Sequence, residues 1–280
     1  MKVEQITEPL AYHGEGPVWS EAWGGLRWLD MLAGDVLSLA PDGTVARRHV
    51  DKVVAAVRPR RRGGAVIAVE RGFALEDADG TVTLMDPLWS DGDVRMNEGG
   101  CDPDGRFYCG SMAYDQREGA AAMHRLDPDR STAVVLDGLT ISNGLEWSPD
   151  GGRAFYADTA TERIDVFDYD RERGLTGRRT FAAVPGSNPD GLTVDSEGGV
   201  WVALYDGGAV HRYAPDGTLD EVVELPVSKT TACTFGGPRL DRLFITTSRE
   251  HLDPGAEPQA GALFACTPGV TGVPVREFAG

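Results

Sequence analysis

The stretch SNPDGLTVDSEGGVWVALYDGGAVHRYAPDG (187–217) shows the pattern that decides the fold. Its apolar runs, VWVALY (200–205) and AVHRYA (209–214), are flanked by clusters of Gly, Asp and Pro. Short β-type runs bounded by such turn residues are typical of antiparallel strands. Because similar runs recur along the whole chain and helical periodicity is almost absent, the sequence predicts an all-β protein.

This pattern repeats along the chain at a nearly constant period. Successive units start at residues 16, 57, 99, 144, 191 and 233, so their separations are 41, 42, 45, 47 and 42 residues. Six units that can each supply four strands predict a six-bladed β-propeller with four-stranded blades, formed as one domain by residues 1–280. The sixth unit lacks room for its fourth strand. We therefore expect the ring to be closed by pairing of terminal segments, through VEQITE (3–8) or VPVREF (273–278).

The position just before the first strand of each unit is where a functional site is expected. In a propeller the first strands line the central channel, so these positions converge at one mouth. They are occupied in chain order by Glu15, Ala56, Glu98 (beside Asn97), Asn143, Asp190 and Ala232.

Hard divalent cations take oxygen ligands from carboxylates and carboxamides. Glu15, Asn143 and Asp190 are therefore hypothesised to bind one metal ion, with coordination positions left for water and substrate. The first Pro-Asp-Gly, at 189–191, is interpreted as a ligand segment, and the second, at 215–217, as a turn. The alternative is that each of these residues is an ordinary cap or turn residue.

Composition excludes several classes of protein. The formal net charge of −17 repels phosphate backbones, so nucleic-acid binding is not expected. No stretch is long and apolar enough for a membrane span or a signal peptide, and we expect a cytoplasmic protein. The four cysteines have no metal-site spacing and are expected to be buried free thiols. A monomer is the expected state of a closed propeller.

Several segments together resemble one known family. They are GEGPVW (14–19), RMNEGGCDPDGRFYCGSM (95–112), ISNGLEWSPDG (141–151), NPDGLTVDSEGGVWVALYDGG (188–208) and KTTACTFGG (229–237). In this order they resemble the regucalcin (senescence marker protein)/gluconolactonase family. The resemblance implies a propeller with one divalent metal ion at the channel mouth, bound by Glu15, Asn143 and Asp190. It also implies that Arg95 and Asn97 bind the substrate.

Members of this family hydrolyse sugar lactones, and relatives with the same propeller hydrolyse organophosphorus esters. The resemblance therefore implies a metal-dependent lactonase in which Asp190 is the catalytic residue, as ligand, general base or both. Calcium, zinc, magnesium, manganese and ferrous iron all suit such ligands. The alternatives are a hydrolase of non-sugar lactones or phosphotriesters on the same metal, and a non-catalytic calcium-binding propeller.

Other positions concern the substrate. The loop 113–122 differs from vertebrate members, whose corresponding loop carries a substrate-contacting acid, and Glu118 is the candidate for that acid here. Asp206, in YDGG where the family often has YNGG, would add charge near the mouth. Lys229 is either a surface lysine or a group that reaches the mouth. His13 is expected at the rim.

Overall fold

A computed structural model describes all 280 residues and contains 24 β-strands in six four-stranded antiparallel sheets. Five sheets follow chain order, as in β2-β3-β4-β5, and the sixth has the order β1-β24-β23-β22. The prediction of a six-bladed propeller with four-stranded blades is confirmed.

The strands are, in chain order, β1 (Glu4–Gln5), β2 (Gly14–Ser20), β3 (Gly25–Asp30), β4 (Asp35–Leu39), β5 (Val45–His49), β6 (Val54–Pro59), β7 (Ala65–Val69), β8 (Gly72–Glu76), β9 (Val82–Leu84), β10 (Val94–Cys101), β11 (Phe107–Ala113), β12 (Ala121–Leu126), β13 (Thr132–Leu139), β14 (Ser142–Trp147), β15 (Arg153–Asp158), β16 (Arg163–Asp170), β17 (Gly174–Ala183), β18 (Asn188–Val194), β19 (Val200–Tyr205), β20 (Ala209–Tyr213), β21 (Leu219–Glu224), β22 (Thr230–Gly236), β23 (Arg242–Thr247) and β24 (Phe264–Cys266). Three single-turn 3₁₀ helices occupy Glu21–Trp23, Met31–Ala33 and Thr159–Thr161. No helix is long and apolar enough to cross a membrane.

The hydrophobic core is divided among the six interfaces between neighbouring blades. One apolar cluster lies at each interface, and the innermost strands β2, β6, β10, β14, β18 and β22 contact one another in ring order. Between the fifth and sixth blades, Trp201 meets Phe235 edge to face at 5.8 Å. Cys101, Cys109, Cys233 and Cys266 are buried and free, as predicted.

The ring is closed by the N-terminal segment. Strand β1 pairs with β24, with Glu4 opposite Ala265 and Gln5 opposite Phe264. This pairing supplies the fourth strand that the sixth unit lacks and covers a sheet edge that would otherwise be exposed. Of the two predicted closures, 3–8 is correct and 273–278 is not a strand of the sheet.

Residues 271–280 instead cross the lower end of the channel, opposite the predicted mouth. Val273, Pro274 and Val275 line the channel there. The tail is hydrogen-bonded to five of the six blades, through Ser196 N to Thr271 O (2.8 Å), Gly272 N to Leu240 O (2.8 Å), Arg276 Nη2 to Ser148 O (2.9 Å), Phe278 N to Pro59 O (2.8 Å) and Ala279 N to Gly105 O (2.9 Å). The tail therefore ties separate blades together.

The tail is expected to contribute strongly to stability through Phe278, which is fully buried in the cluster between the second and third blades. Replacing this side chain with Ala leaves a cavity, so Phe278→Ala should lower the free energy of unfolding by about 3–5 kcal/mol in urea titrations. Leu84→Ala removes an exposed apolar side chain and should change it by less than about 0.5 kcal/mol. Equal small effects would show that the tail does not stabilise the ring.

Candidate functional site

Every innermost strand carries a β-bulge at the repeat position that the sequence singled out. The register shifts lie between Glu15 and Val18 in β2, Met96 and Gly99 in β10, Ser142 and Leu145 in β14, and Pro189 and Leu192 in β18, with matching shifts in β6 and β22. In each case the inner strand has one extra residue. A bulge re-aims side chains, and here it lies inside the strand, whereas the predicted position was just before it.

Two glycines beside predicted ligands allow the inner strands to approach closely at the bulges. A Cβ on Gly144 would lie 2.7 Å from Leu192 N, and one on Gly191 would lie 2.4 Å from Ala232 Cβ. Pro189-Asp190-Gly191 is therefore part of strand β18 and not a turn. The second Pro-Asp-Gly is a turn, with Gly217 at φ 87°, as predicted, whereas the role of the first as a ligand segment stays a prediction.

The bulged residues open into a cavity of about 490 Å³ at the upper mouth. Its volume is typical of small-molecule pockets, about 300–1,000 Å³. All five predicted site residues line it, and the full lining is His13, Glu15, Leu32, Arg95, Asn97, Met112, Tyr114, Gln116, Ile141, Asn143, Thr159, Asn188, Asp190, Tyr205, Asp206, Lys229, Glu250 and His251. The structure thus brings together residues from all blades except the second in one cavity.

Glu15 and Asp190 are buried carboxylates that form no ion pair with Arg or Lys. They are 3% and 5% exposed. Burial raises the pKa of Glu15 to about 7, against a hydrogen bond from Gly16 N and the charge of Arg95, which lower it. Burial, followed by the charges of Glu15 and Glu98, raises the pKa of Asp190 well above its usual range. Two carboxyls that resist ionisation together, because no cation neutralises them, are an electrostatic signature of a functional site.

A directional hydrogen-bond chain orients the carboxamides of the site. Its members, from the third blade to the fifth, are Arg95 Nη1 to Asn97 Oδ1 (2.6 Å), Asn97 Nδ2 to Asn143 Oδ1 (3.0 Å), Asn143 Nδ2 to Thr159 Oγ1 (2.8 Å) and Thr159 Oγ1 to Pro189 O (2.8 Å). Because the Asn143 amide nitrogen is committed to Thr159, its oxygen carries the free lone pair. The chain ends on the residue before Asp190.

The donor set of Glu15, Asn143 and Asp190 fits a hard divalent cation. It supplies oxygen atoms only, it is buried, and its two carboxylates lack a compensating cation in direct contact. The structure has no group of three or more His, Cys, Asp or Glu side chains arranged for a metal ion. The predicted set contains two such residues and one carboxamide. Because three protein ligands are fewer than a hard divalent cation takes, coordination positions remain for water or substrate.

Arg95 is a buried guanidinium with no carboxylate partner. It is 6% exposed, and Nη1 donates to Met96 O at 3.0 Å as well as to Asn97. Burial lowers its pKa, although nearby negative charges oppose the effect. Neither Nη2 nor Nε has a hydrogen-bond partner within the protein. Arg95 therefore keeps donors for an anionic or hydroxylated ligand in the cavity.

Glu98 does not face the mouth. It lines a separate chamber of about 30 Å³ lower in the channel, with Arg58, Glu146 and Trp19. Its Oε2 and the Nε1 of Trp19 are buried and have no hydrogen-bond partner. Consecutive residues at the bulge thus diverge, with Asn97 towards the mouth and Glu98 towards the lower chamber. The expectation that Glu98 converges with the other mouth residues is wrong.

Three further residues that the sequence singled out occupy different surroundings. His13 is not a rim residue: it is 6% exposed, its Nδ1 lies 2.8 Å from Ser248 Oγ, and burial lowers its pKa to about 3. Glu118 is exposed and does not line the cavity, where the same loop contributes Tyr114 and Gln116. Lys229 does reach the mouth. Sequence reasoning missed Thr159 and Glu250, which lie outside the repeat position and carry no motif.

Fold and site together define a six-bladed propeller with a cavity at one channel mouth that is lined by buried carboxylates. Residues 13–249 match the family model described as the SMP-30/gluconolactonase/LRE-like region. The chain belongs to this family.

Three similar proteins illustrate the relationship. Regucalcin from Oryctolagus cuniculus is 36% identical over 296 residues, covering 100% of this chain and 99% of the relative. The structure of a calcium-binding regucalcin from Agrobacterium tumefaciens superposes with a TM-score of 0.89 at 29% identity, covering 98% of this chain and 95% of the other. A gluconolactonase from Xanthomonas campestris superposes with a TM-score of 0.78 at 26% identity, covering 95% and 89%.

The hydrogen-bond chain predicts a role for Thr159 in metal affinity. Thr159→Val keeps the shape but removes the hydroxyl that fixes the Asn143 amide, so calcium affinity should fall about 10–100-fold in calorimetric titrations. Thr159→Ser keeps the hydroxyl and should bind calcium within about threefold of wild type. Equal loss in both variants would mean that the methyl group, not the hydrogen bond, supports the site.

The raised pKa values predict pH-dependent metal binding. Since the pKa of Glu15 is about 7 when folded and 4.5 in its unperturbed state, the folded metal-free protein binds protons more tightly than the unfolded chain. This carboxyl therefore reduces stability as pH rises between these values. A cation binds the ionised form, so calcium affinity should rise at least about tenfold from about pH 5.5 to about pH 8. Equal calorimetric affinities at both pH values would contradict the prediction that Glu15 is a metal ligand.

Proposed function

We propose that this protein is a divalent-metal-dependent hydrolase that opens a sugar lactone to the sugar acid. The observation that carries the proposal is one cavity lined by both a pair of uncompensated buried carboxylates and an unpaired guanidinium. The carboxylates suit a metal ion, and the guanidinium suits the negative charge that forms when an ester is hydrolysed. The Xanthomonas campestris relative, described as a gluconolactonase, supports the same reaction class.

In this proposal Glu15, Asn143 and Asp190 hold the metal ion. When bound, the ion would polarise the lactone carbonyl as a Lewis acid. Hydrolysis adds water oxygen to the carbonyl carbon, breaks the ring C–O bond and protonates the ring oxygen to a hydroxyl. The new carboxylic acid then loses its proton to solvent.

Asp190 is the proposed proton carrier. Its carboxylate lines the cavity, where it would take a proton from the attacking water and return one to the ring oxygen. Arg95 lines the cavity, and its unbonded donors would bind the developing oxyanion and then the product carboxylate. The Asn97 amide is committed to Arg95, Ser142 and Asn143, so it positions these groups within the site.

A calcium-binding propeller without catalysis is the alternative that a relative favours, since the Agrobacterium tumefaciens regucalcin is described as calcium-binding. Both functions use the same three ligands. Only turnover separates them, because a binding protein needs no proton carrier and no donor for an oxyanion.

The test is hydrolysis of five- and six-membered aldonolactones by metal-stripped protein with each of calcium, zinc, magnesium, manganese and ferrous iron restored. We expect metal-dependent acid release well above the enzyme-free blank. Asp190→Ala should lower kcat/KM by at least about 10²-fold, because it loses both ligand and base.

Asp216→Asn is the matched control, since Asp216 lies in the second Pro-Asp-Gly on an exposed turn and should retain full activity. Calcium binding with no hydrolysis above blank would favour the binding protein. Activity on phosphotriesters or non-sugar lactones alone would reassign the substrate.

A further inference from the structure

An ion pair between a buried lysine and a half-exposed aspartate lies at the mouth, on the side of the fifth and sixth blades. Lys229, directly before β22, is 6% exposed, and its Nζ lies 2.7 Å from Asp206 Oδ1. The ammonium also lies 4.4 Å from the centroid of the Tyr205 ring. Asp206 follows β19 at the turn into β20, and its side chain is half exposed. Both residues line the cavity.

The two cations of the cavity therefore differ in availability. Arg95 forms no ion pair, so its charge can be satisfied by a ligand, whereas Lys229 is already neutralised by Asp206. Glu250 adds a further carboxylate on the same side, accepting a hydrogen bond from the Tyr205 hydroxyl at 3.3 Å. Apart from the proposed metal ion, the mouth thus offers one unpaired cationic side chain, Arg95, and it carries the carboxylates of Asp206 and Glu250 on the side of the fifth and sixth blades.

We propose that the Asp206–Lys229 pair makes the mouth select uncharged, polyhydroxylated lactones over lactones that carry a carboxylate substituent. This inference rests on the proposed function and names the substrate class of the same site. Sugar hydroxyls can donate to the rim carboxylates, whereas a substituent carboxylate meets like charges there and finds no free ammonium. Arg95 remains for the single carboxylate that ring opening creates.

The backbone at Asp206 makes a clean variant available. Asp206 has φ 62°, a left-handed conformation that Asn tolerates as well as Asp. Asp206→Asn therefore removes the charge and frees the Lys229 ammonium without disturbing the turn. Lys229→Met has the opposite effect, because it leaves the Asp206 carboxylate uncompensated. Asp168→Asn is the control, since Asp168 pairs with Arg179 at 2.8 Å on the exposed outer face of the fourth blade.

The experiment compares D-glucono-1,4-lactone with D-glucaro-1,4-lactone, which differ only in a hydroxymethyl or carboxylate group at C6. The measured quantity is the ratio of their kcat/KM values at fixed low ionic strength with metal present. Wild type should prefer the uncharged lactone. Asp206→Asn should shift the ratio about tenfold towards the carboxylated lactone, and Lys229→Met should shift it the other way. Asp168→Asn should leave it unchanged.

A ratio unchanged by Asp206→Asn, in an enzyme that hydrolyses the uncharged lactone, would overturn this inference and leave the proposed function intact. If wild type hydrolyses neither lactone, the proposed function fails, and calorimetric binding of gluconate and glucarate tests the inference separately. A ratio of affinities that shifts towards glucarate in Asp206→Asn, towards gluconate in Lys229→Met and not at all in Asp168→Asn would then support it. Equal binding of both acids, or binding of neither, would overturn it. Thermal unfolding of each variant verifies that it is folded.

Discussion

A four-stranded twisted sheet can bury both faces only when a neighbour covers each of them, so six such sheets must close into a ring. Here each interface holds one apolar cluster, and β1 completes the last blade. The site depends on this closure, because Glu15 comes from the first blade and Asp190 from the fifth. These two carboxylates are far apart in the chain, and only the closed ring forces them into one buried cavity.

Within the closed ring, the bulges convert strand residues into a site. An unbroken pleat would alternate side chains between the two faces of the blade. One extra residue in each inner strand turns Glu15, Asn143 and Asp190 towards the channel, and glycines such as Gly191 let the neighbouring strand approach. The hydrogen-bond chain through Thr159 then fixes the amides across three blades. Burial of these carboxylates without a paired cation lowers the stability of the fold, and functional sites often lower stability in this way.

The repeat period made most of the site predictable from sequence, because residues at the same position in each repeat lie at the same level along the channel. It located Glu15, Asn143 and Asp190, and the family resemblance added Arg95 and Asn97. The position in the repeat does not show which of two adjacent residues at a bulge faces the mouth, so the predicted location of Glu98 was wrong. Thr159 acts through a contact from a 3₁₀ turn in one blade to the next, and the tail contacts five blades without forming a strand. Such contacts depend on three-dimensional packing and leave no periodic signal.

The C-terminal tail also covers the lower end of the channel. With Val273 and its neighbours across this end, the upper opening is the route that we expect substrate and product to take. For the proposed lactonase, substrate entry and acid exit then share one passage and cannot overlap in time. A sugar acid retained by Arg95 would lie in the path of the next lactone, so the proposed lactonase should be inhibited by its own product.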